Sequence, residues 1–180
     1  MEVMCVVVGP LDENCYILKK NNTCLVIDPG DDYLKIKESI GEDKVIGVLI
    51  THSHFDHVGA LRHFISKRGI KIFKKSISPE GEYEIKDFKF KVIETPGHAK
   101  DEITFYFEEE NLMFDGDFIF KDSIGRVDLP GGSEEEMRDS LKKIQAYPKD
   151  TVLYPGHGEA TILSYELQNN SYIKEFLSCI

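Results

Sequence analysis

Val45-Ile-Gly-Val-Leu-Ile50 runs straight into Thr51-His-Ser-His-Phe-Asp-His57. The first half is a short apolar run rich in β-branched residues, which predicts a strand covered on both faces. The second half gathers three histidines and an aspartate within six residues, four possible metal ligands at the strand's carboxyl end. His52, His54 and Asp56 alternate and His57 then doubles back, so no single helix face carries all four. At this composition the pattern H-x-H-x-D-H is expected by chance in on the order of one chain in two thousand. A merely polar loop would not collect half of the six histidines where a buried strand ends.

Upstream, Val3–Val8, Asn14–Lys19 and Thr23–Asp28 have strand character, the last closed by Pro29-Gly30. Asp31 and Asp32 offer N-cap chemistry for a short helix to Ile40, stopped by Gly41. Downstream, Val58, Leu61, Phe64 and Ile65 have helical spacing, predicting a helix over Val58–Arg68. Tyr83–Lys86, Phe88–Ile93, Ile103–Phe107 and Leu112–Phe114 alternate as strands, with Glu108–Asn111 a solvated hairpin tip. Ser133 with Glu136 forms a capping box for a helix to about Tyr147, Thr151–Tyr154 is a further strand, and a final helix follows Glu159. This order predicts an α/β (α+β) chain with two sheets and helices outside them.

At 180 residues the chain suits one domain, 1–180, with a core that needs no staples. Its net charge of −10 argues against nucleic-acid and anionic-membrane partners, which require a cationic face. No window approaches a membrane span, and Met1–Gly9 lacks the basic start of a signal peptide. Cys5, Cys15, Cys24 and Cys179 have no tight spacing, and three of them lie in apolar strand-like runs. Buried free thiols in a reducing cytoplasm are therefore expected.

Three further candidates repeat the arrangement strand, tight turn, polar residue: His98 in Glu94-Thr-Pro-Gly-His, Asp117 in Phe114-Asp-Gly-Asp, and His157 in Tyr154-Pro-Gly-His. Alone, each is explained as a turn residue; together, strand ends that share one sheet edge could bring them into one cleft. Imidazole and carboxylate without thiolate suit Zn²⁺, with Fe²⁺ or Mn²⁺ as alternatives. Asp28 fits equally a carboxylate that orients a liganding histidine and an Asx-turn residue. His63 is expected on a helix surface.

The ordered set His52-x-His54-x-Asp56-His57, His98, Asp117, His157 resembles the metallo-β-lactamase-fold hydrolase superfamily. Within it, Asn14-Cys-Tyr-Ile-Leu, Val26-Ile-Asp-Pro-Gly30, Gly116–Phe120 and Gly125-Arg126-x-Asp128 resemble the glyoxalase II (hydroxyacylglutathione hydrolase) group and its short single-domain relatives. The resemblance implies a four-layer αβ/βα sandwich with two divalent metal ions. His52, His54 and His98 would hold one ion, Asp56, His57 and His157 the other, and Asp117 would bridge them. Asp56 and Asp117 would then belong to the chemistry itself: a hydroxide between two ions attacks the carbonyl of a small thioester or ester of S-acylglutathione type. Arg126 matches a position where such enzymes face the substrate with a cation, which points to an anionic substrate; Lys121 and Tyr154 are fainter candidates for substrate contact.

Two departures from that group stand out. Only 23 residues follow His157 (180 − 157), room for one helix, so the helical domain that builds the glutathione pocket is not expected. The run after His98 is Ala-Lys-Asp-Glu where Thr and a small pair are usual. A persulfide dioxygenase-like oxygenase with one iron on His52, His98 and Asp117 shares the ligand spacing and is the alternative activity. A nuclease is disfavoured by the charge, and a β-lactamase by Asp117 standing where a bridging carboxylate is expected.

Overall fold

The computed structural model describes residues 1–66 and 68–178. Strands β1 (Glu2–Val8), β2 (Glu13–Lys20) and β3 (Thr23–Ile27) form an antiparallel meander. Helix α1 (Tyr33–Ile40) crosses to β4 (Lys44–Leu49), which pairs parallel to β3. Two one-turn helices, α2 (Phe55–Val58) and α3 (Arg62–Ile65), lead to β5 (Lys71–Phe73), parallel to β4, and complete the sheet order β1-β2-β3-β4-β5.

The second sheet opens with β6 (Gly81–Ile85), β7 (Phe88–Glu94), β8 (Ile103–Phe107) and β9 (Leu112–Gly116), antiparallel throughout. A small hairpin of β10 (Ile119–Phe120) and β11 (Ser123–Ile124) follows, then α4 (Glu134–Ile144). Strand β12 (Val152–Pro155) pairs parallel to β9, and β13 (Thr161–Ile162) closes that edge before α5 (Leu163–Asn169) and α6 (Ser171–Ser178).

The period-two patterns sort side chains between layers. In β2 and β3, Tyr16, Leu18, Leu25 and Ile27 point to a core that also holds Phe90, Val92, Phe105 and Phe114 of the facing sheet. Their neighbours Cys15, Ile17, Cys24 and Val26 point outward onto Ile36 and Ile40 of α1 and Phe64 of α3. On the far side, Ile93, Tyr106, Met113 and Leu153 meet Met137, Leu141, Leu163 and Ile173 of the last helices. Helix, sheet, sheet, helix is the four-layer sandwich expected from the sequence, and burying both faces of β4 explains its unbroken apolar run.

Several local expectations are corrected. The helix predicted over Val58–Arg68, of which Lys67 lies outside the described residues, is broken into α2 and α3, and Asp56 and His57 sit on α2, not on an open loop. The break arises at Gly59: a Cβ there would lie 2.2 Å from the Gly30 carbonyl oxygen, and the Ala60 N–H donates to Pro29 and Gly30. Docking on that turn overrides the helical repeat. Asp32 does precede α1, but its carboxylate reaches across to the Gly9 N–H and makes no cap bond. Ser133 caps α4 as expected, accepting from the Glu136 N–H. The last helix is preceded by β13 and interrupted at Asn170. Cys15 and Cys24 are buried free thiols, whereas Cys5 is an exposed one; Cys179 lies outside the described residues. No helix among the described residues is long and apolar enough to cross a membrane.

Candidate metal centre

Strands β7, β9 and β12 run in one direction, so their carboxyl ends share an edge of the second sheet. His98 follows β7, Asp117 follows β9 and His157 follows β12. The end of β4 in the facing sheet delivers His52, His54, Asp56 and His57 to the same place. Residues spread over 105 positions (157 − 52) thereby converge on a single cluster.

Its geometry divides into two groups around one carboxylate. His52 Nε2 and His98 Nε2 approach His54 Nδ1 to 3.0 and 2.9 Å. On the other side, His157 Nε2 is 3.3 Å from Asp56 Oδ2, and His57 Nε2 is 3.9 Å from it. Asp117 lies between: Oδ1 is 3.3 Å from His57 Nε2 and 3.8 Å from His157 Nε2, and Oδ2 is 3.5 Å from His98 Nε2.

The outward ring nitrogens settle which nitrogens face inward bare. His57 Nδ1 donates to Asp28 Oδ2 at 3.0 Å, His98 Nδ1 to the Arg126 carbonyl at 2.8 Å and His157 Nδ1 to the Leu11 carbonyl at 3.0 Å. Thr51 Oγ1 donates to Asp28 Oδ2, which leaves it to accept from His52 Nδ1 at 3.1 Å. Four imidazoles therefore spend their N–H outside and turn the Nε2 lone pair toward the centre, the tautomer that a metal ligand requires. Asp28 adopts a left-handed backbone (φ 46°) and bonds Thr51 N and Oγ1 as well as His57. The Asp28 carboxylate is spent on His57 and Thr51, as a partner of a histidine and not as the acceptor of an Asx turn.

Burial of these groups shifts their protonation. His52 is held well below the usual imidazole range by burial and by neighbouring His57, and His98 is lowered by burial as well. Burial also opposes a charged His57, but the facing carboxylates of Asp117 and Asp28 outweigh it and raise the ring. Burial would raise Asp117, yet His57 and the other imidazoles hold its carboxyl well below the usual carboxylate range. His57 Nε2 and Asp117 Oδ1 are nonetheless buried without a hydrogen-bond partner. Ring nitrogens and carboxylate oxygens that converge on one another, buried and in part without a hydrogen-bond partner, fit divalent cations held by this donor set.

Three buried acids close to the cluster escaped the sequence reading. Glu13 is 1 % exposed, has no hydrogen-bond partner on either carboxylate oxygen, and is raised to about 10 by burial and by Asp28. Glu102 Oε1 accepts from the Asp117 N–H at 2.9 Å, and Asp115 Oδ2 from the Ile119 N–H at 3.3 Å; burial raises both acids. The one available signal was a charge set directly against a run of fully buried residues, as in Glu13-Asn-Cys-Tyr and Glu102-Ile-Thr-Phe.

The cluster opens into a cleft of about 560 Å³. Arg126 lines it, but its guanidinium is clasped by both Asp128 oxygens at 2.7 Å and so is not a free cation. Lys121 is exposed, pairs with Glu159 and does not line the cleft. Tyr154 is also absent from the wall: its ring stacks on Phe114 (5.0 Å between centroids) and edges Tyr16, because the period of β12 turns it into the core between the sheets. His63 is half-buried and stacks on Tyr33 at 4.3 Å.

Asp28→Ala should remove the anchor of His57 and leave the Thr51 N–H without its carboxylate. We expect metal affinity to fall roughly 10–100-fold, the usual cost of losing an outer hydrogen-bond partner. Competition against a chromogenic chelator measures it; unchanged affinity would show that His57 is oriented without Asp28.

Known proteins bear directly on this geometry. The sequence matches the profile of the metallo-beta-lactamase superfamily over residues 8–78 and 74–157. The chain belongs to that superfamily. Among curated superfamily relatives, a probable metallo-hydrolase of Bacillus subtilis, YqgX, is 31 % identical, covering 94 % of this chain and 96 % of its own. A hydroxyacylglutathione hydrolase of Pelagibacter ubique is 34 % identical over 89 % of this chain and 70 % of its own. Among solved superfamily structures, BLEG-1, described as a B3 metallo-beta-lactamase, superposes with a TM-score of 0.89 at 26 % identity, covering 96 % of this chain and 99 % of that one. TTHA1623 in a di-iron-bound form gives 0.80 at 29 % identity, with 94 % and 99 % covered. ETHE1 from Myxococcus xanthus, 22 % identical with a TM-score of 0.86, covering 97 % and 85 %, shares the fold.

Proposed function

We propose that this protein is a binuclear metallohydrolase that cleaves small thioesters or esters, in the manner of a hydroxyacylglutathione hydrolase. The observation that carries the reading is the inward convergence of four Nε2 lone pairs and His54 Nδ1 on Asp56 and Asp117, with the outward N–H of those four imidazoles already committed. His52, His54 and His98 would hold one ion, Asp56, His57 and His157 the other, and Asp117 both. Zinc suits these donors; iron is the precedent in the relative solved in a di-iron form.

Two bound divalent cations supply positive charge that acidifies water and draws electron density from an acyl carbonyl. The chain's own residues do the rest. Asp56, half-buried and lining the cleft, is placed to accept a hydrogen bond from the attacking water. Asp28 and the carbonyls of Arg126 and Leu11 keep the imidazoles in the metal-binding tautomer throughout turnover. His52, His57, His98 and Asp117 are buried, and the cleft is lined by His54, Asp56, His98, Asp117 and His157.

Elemental analysis of protein produced without added metal, joined to a panel of thioesters, esters and a β-lactam, tests the reading. S-lactoylglutathione belongs in the panel because of the hydroxyacylglutathione hydrolase relatives, and the β-lactam because of BLEG-1. About two metal equivalents and hydrolysis that chelation abolishes and metal restores are expected. Chelation should also lower the melting temperature, since ions that bind the folded chain stabilise it by mass action. Iron-dependent oxygen uptake on glutathione persulfide without thioester cleavage would instead establish the dioxygenase-type activity.

A further inference from the structure

The wall of the cleft is chemically one-sided. Around the cluster it carries the apolar side chains of Leu11, Phe55, Phe120, Ile124 and Leu129. Phe55 is 73 % exposed and Leu11 50 % exposed, so two large apolar side chains stand in water at the mouth. Exposed apolar surface continuous with a reacting centre is surface that a ligand would cover. Phe55 lies between His54 and Asp56 in sequence, so whatever covers it is held directly against the proposed metal site. Leu11 is tied to the cluster as well, since its carbonyl accepts from His157 Nδ1.

Outside the cluster itself, the described residues of the wall offer an anion no unpaired cationic side chain. Arg126 is the one cationic side chain lining the cleft among the described residues, and Asp128 engages it through two parallel bonds of 2.7 Å. Both side chains are more than half exposed, and the Arg126 guanidinium, chiefly through its hydrogen bonds, holds the Asp128 carboxyl down at about 2. A carboxylate on the substrate would have to displace Asp128 from a fork geometry that already suits it.

We propose that the cleft selects thioesters or esters whose leaving group is apolar and uncharged, and that Asp128 determines this specificity by neutralising Arg126. The proposal rests on the hydrolase reading above and names its substrate class. Phe55 and Leu11 cover the apolar group, water adds to the acyl carbon, and the products are a carboxylate, a proton and the free thiol or alcohol. Asp128 works against substrates that carry carboxylates, as glutathione does.

The test uses metal-loaded protein and two thioesters with one acyl group, S-acetyl benzyl mercaptan and S-acetylglutathione. Wild-type protein should show at least a tenfold higher kcat/KM for the benzyl ester. Phe55→Ala should lower that value roughly tenfold through KM, and Asp128→Asn should raise kcat/KM for the glutathione ester severalfold. Both side chains are exposed, so neither variant threatens the fold. Preference for the glutathione ester by wild-type protein, or a selectivity ratio unmoved in Asp128→Asn, would overturn the proposal and leave the hydrolase reading standing. Cleavage of neither ester by protein holding two metal equivalents would overturn the hydrolase reading and this inference together.

Discussion

Asp117→Asn is expected to leave the protein folded, with at most one tightly bound metal equivalent and hydrolysis below one per cent of wild type. The expected loss is electrostatic in origin. Asp117 is the carboxylate facing both groups of imidazoles, through Oδ1 toward His57 and His157 and through Oδ2 toward His98. Its low protonation affinity in the metal-free chain, set by those imidazoles against the opposing effect of burial, marks it as an anion committed to positive partners. Removing one partner from a buried charged set costs about 3–5 kcal/mol, which is two to four decades of affinity. The fold should survive because the Asp117 backbone N–H, not its side chain, binds Glu102, and β9 pairs with β8 and β12 without it. Elemental analysis, far-ultraviolet circular dichroism and thioester turnover together measure the outcome. Retention of two equivalents with near-native turnover would remove Asp117 from the bridging position.

How far the sequence could carry this depends on the range of the interactions involved. The strand ends bearing His52, His98, Asp117 and His157 were legible because period-two burial and Pro-Gly or Asp-Gly turns are local signals. Sheet pairing turns three of these features, His98, Asp117 and His157, into one edge, and the packing of the two sheets brings the end of β4 with His52 against it. Glu13 and Glu102 were not legible as site residues, since their meaning lies in who faces them: Glu13 stands 3.9 Å from His57 across a separation of 44 residues (57 − 13). Strands β5, β10, β11 and β13 are two or three residues long, too short for any periodicity to declare itself. Arg126 was found by resemblance, but that Asp128 occupies it depends on rotamers that no spacing encodes. Tyr154 shows the converse error: an aromatic beside a ligand-bearing turn looked like a substrate contact, and strand alternation placed it in the core.

Residues 119–125 connect that wall to the cluster. The β10–β11 hairpin contributes Phe120, Ser123 and Ile124 to the cleft, and its outer side is fastened to the C-terminal helices. Glu166, fully buried, accepts from the Asp122 N–H at 3.0 Å and from Asn170 Nδ2 at 2.8 Å, while Asn170 Nδ2 also donates to the Ser123 carbonyl. Immediately after the hairpin, Gly125 passes through a gap that has no room for a Cβ. A Cβ there would lie 1.8 Å from the Asp117 carbonyl oxygen and 2.9 Å from His98 Cβ. Neither neighbour can give way: one is backbone at the turn that presents Asp117, the other belongs to a side chain anchored on the Arg126 carbonyl. With the hairpin pinned from behind, Gly125→Ala must push apart the two segments that deliver His98 and Asp117. A misplacement of about 1 Å at a reacting centre costs on the order of a hundredfold in rate. We therefore expect kcat/KM to fall at least a hundredfold and metal content to drop. Stability should fall by only about 1–3 kcal/mol, as for overpacking at one point. If Gly125→Ala kept its metal and its turnover, the hairpin would be free to move, and its fastening by Glu166 and Asn170 would not govern the site.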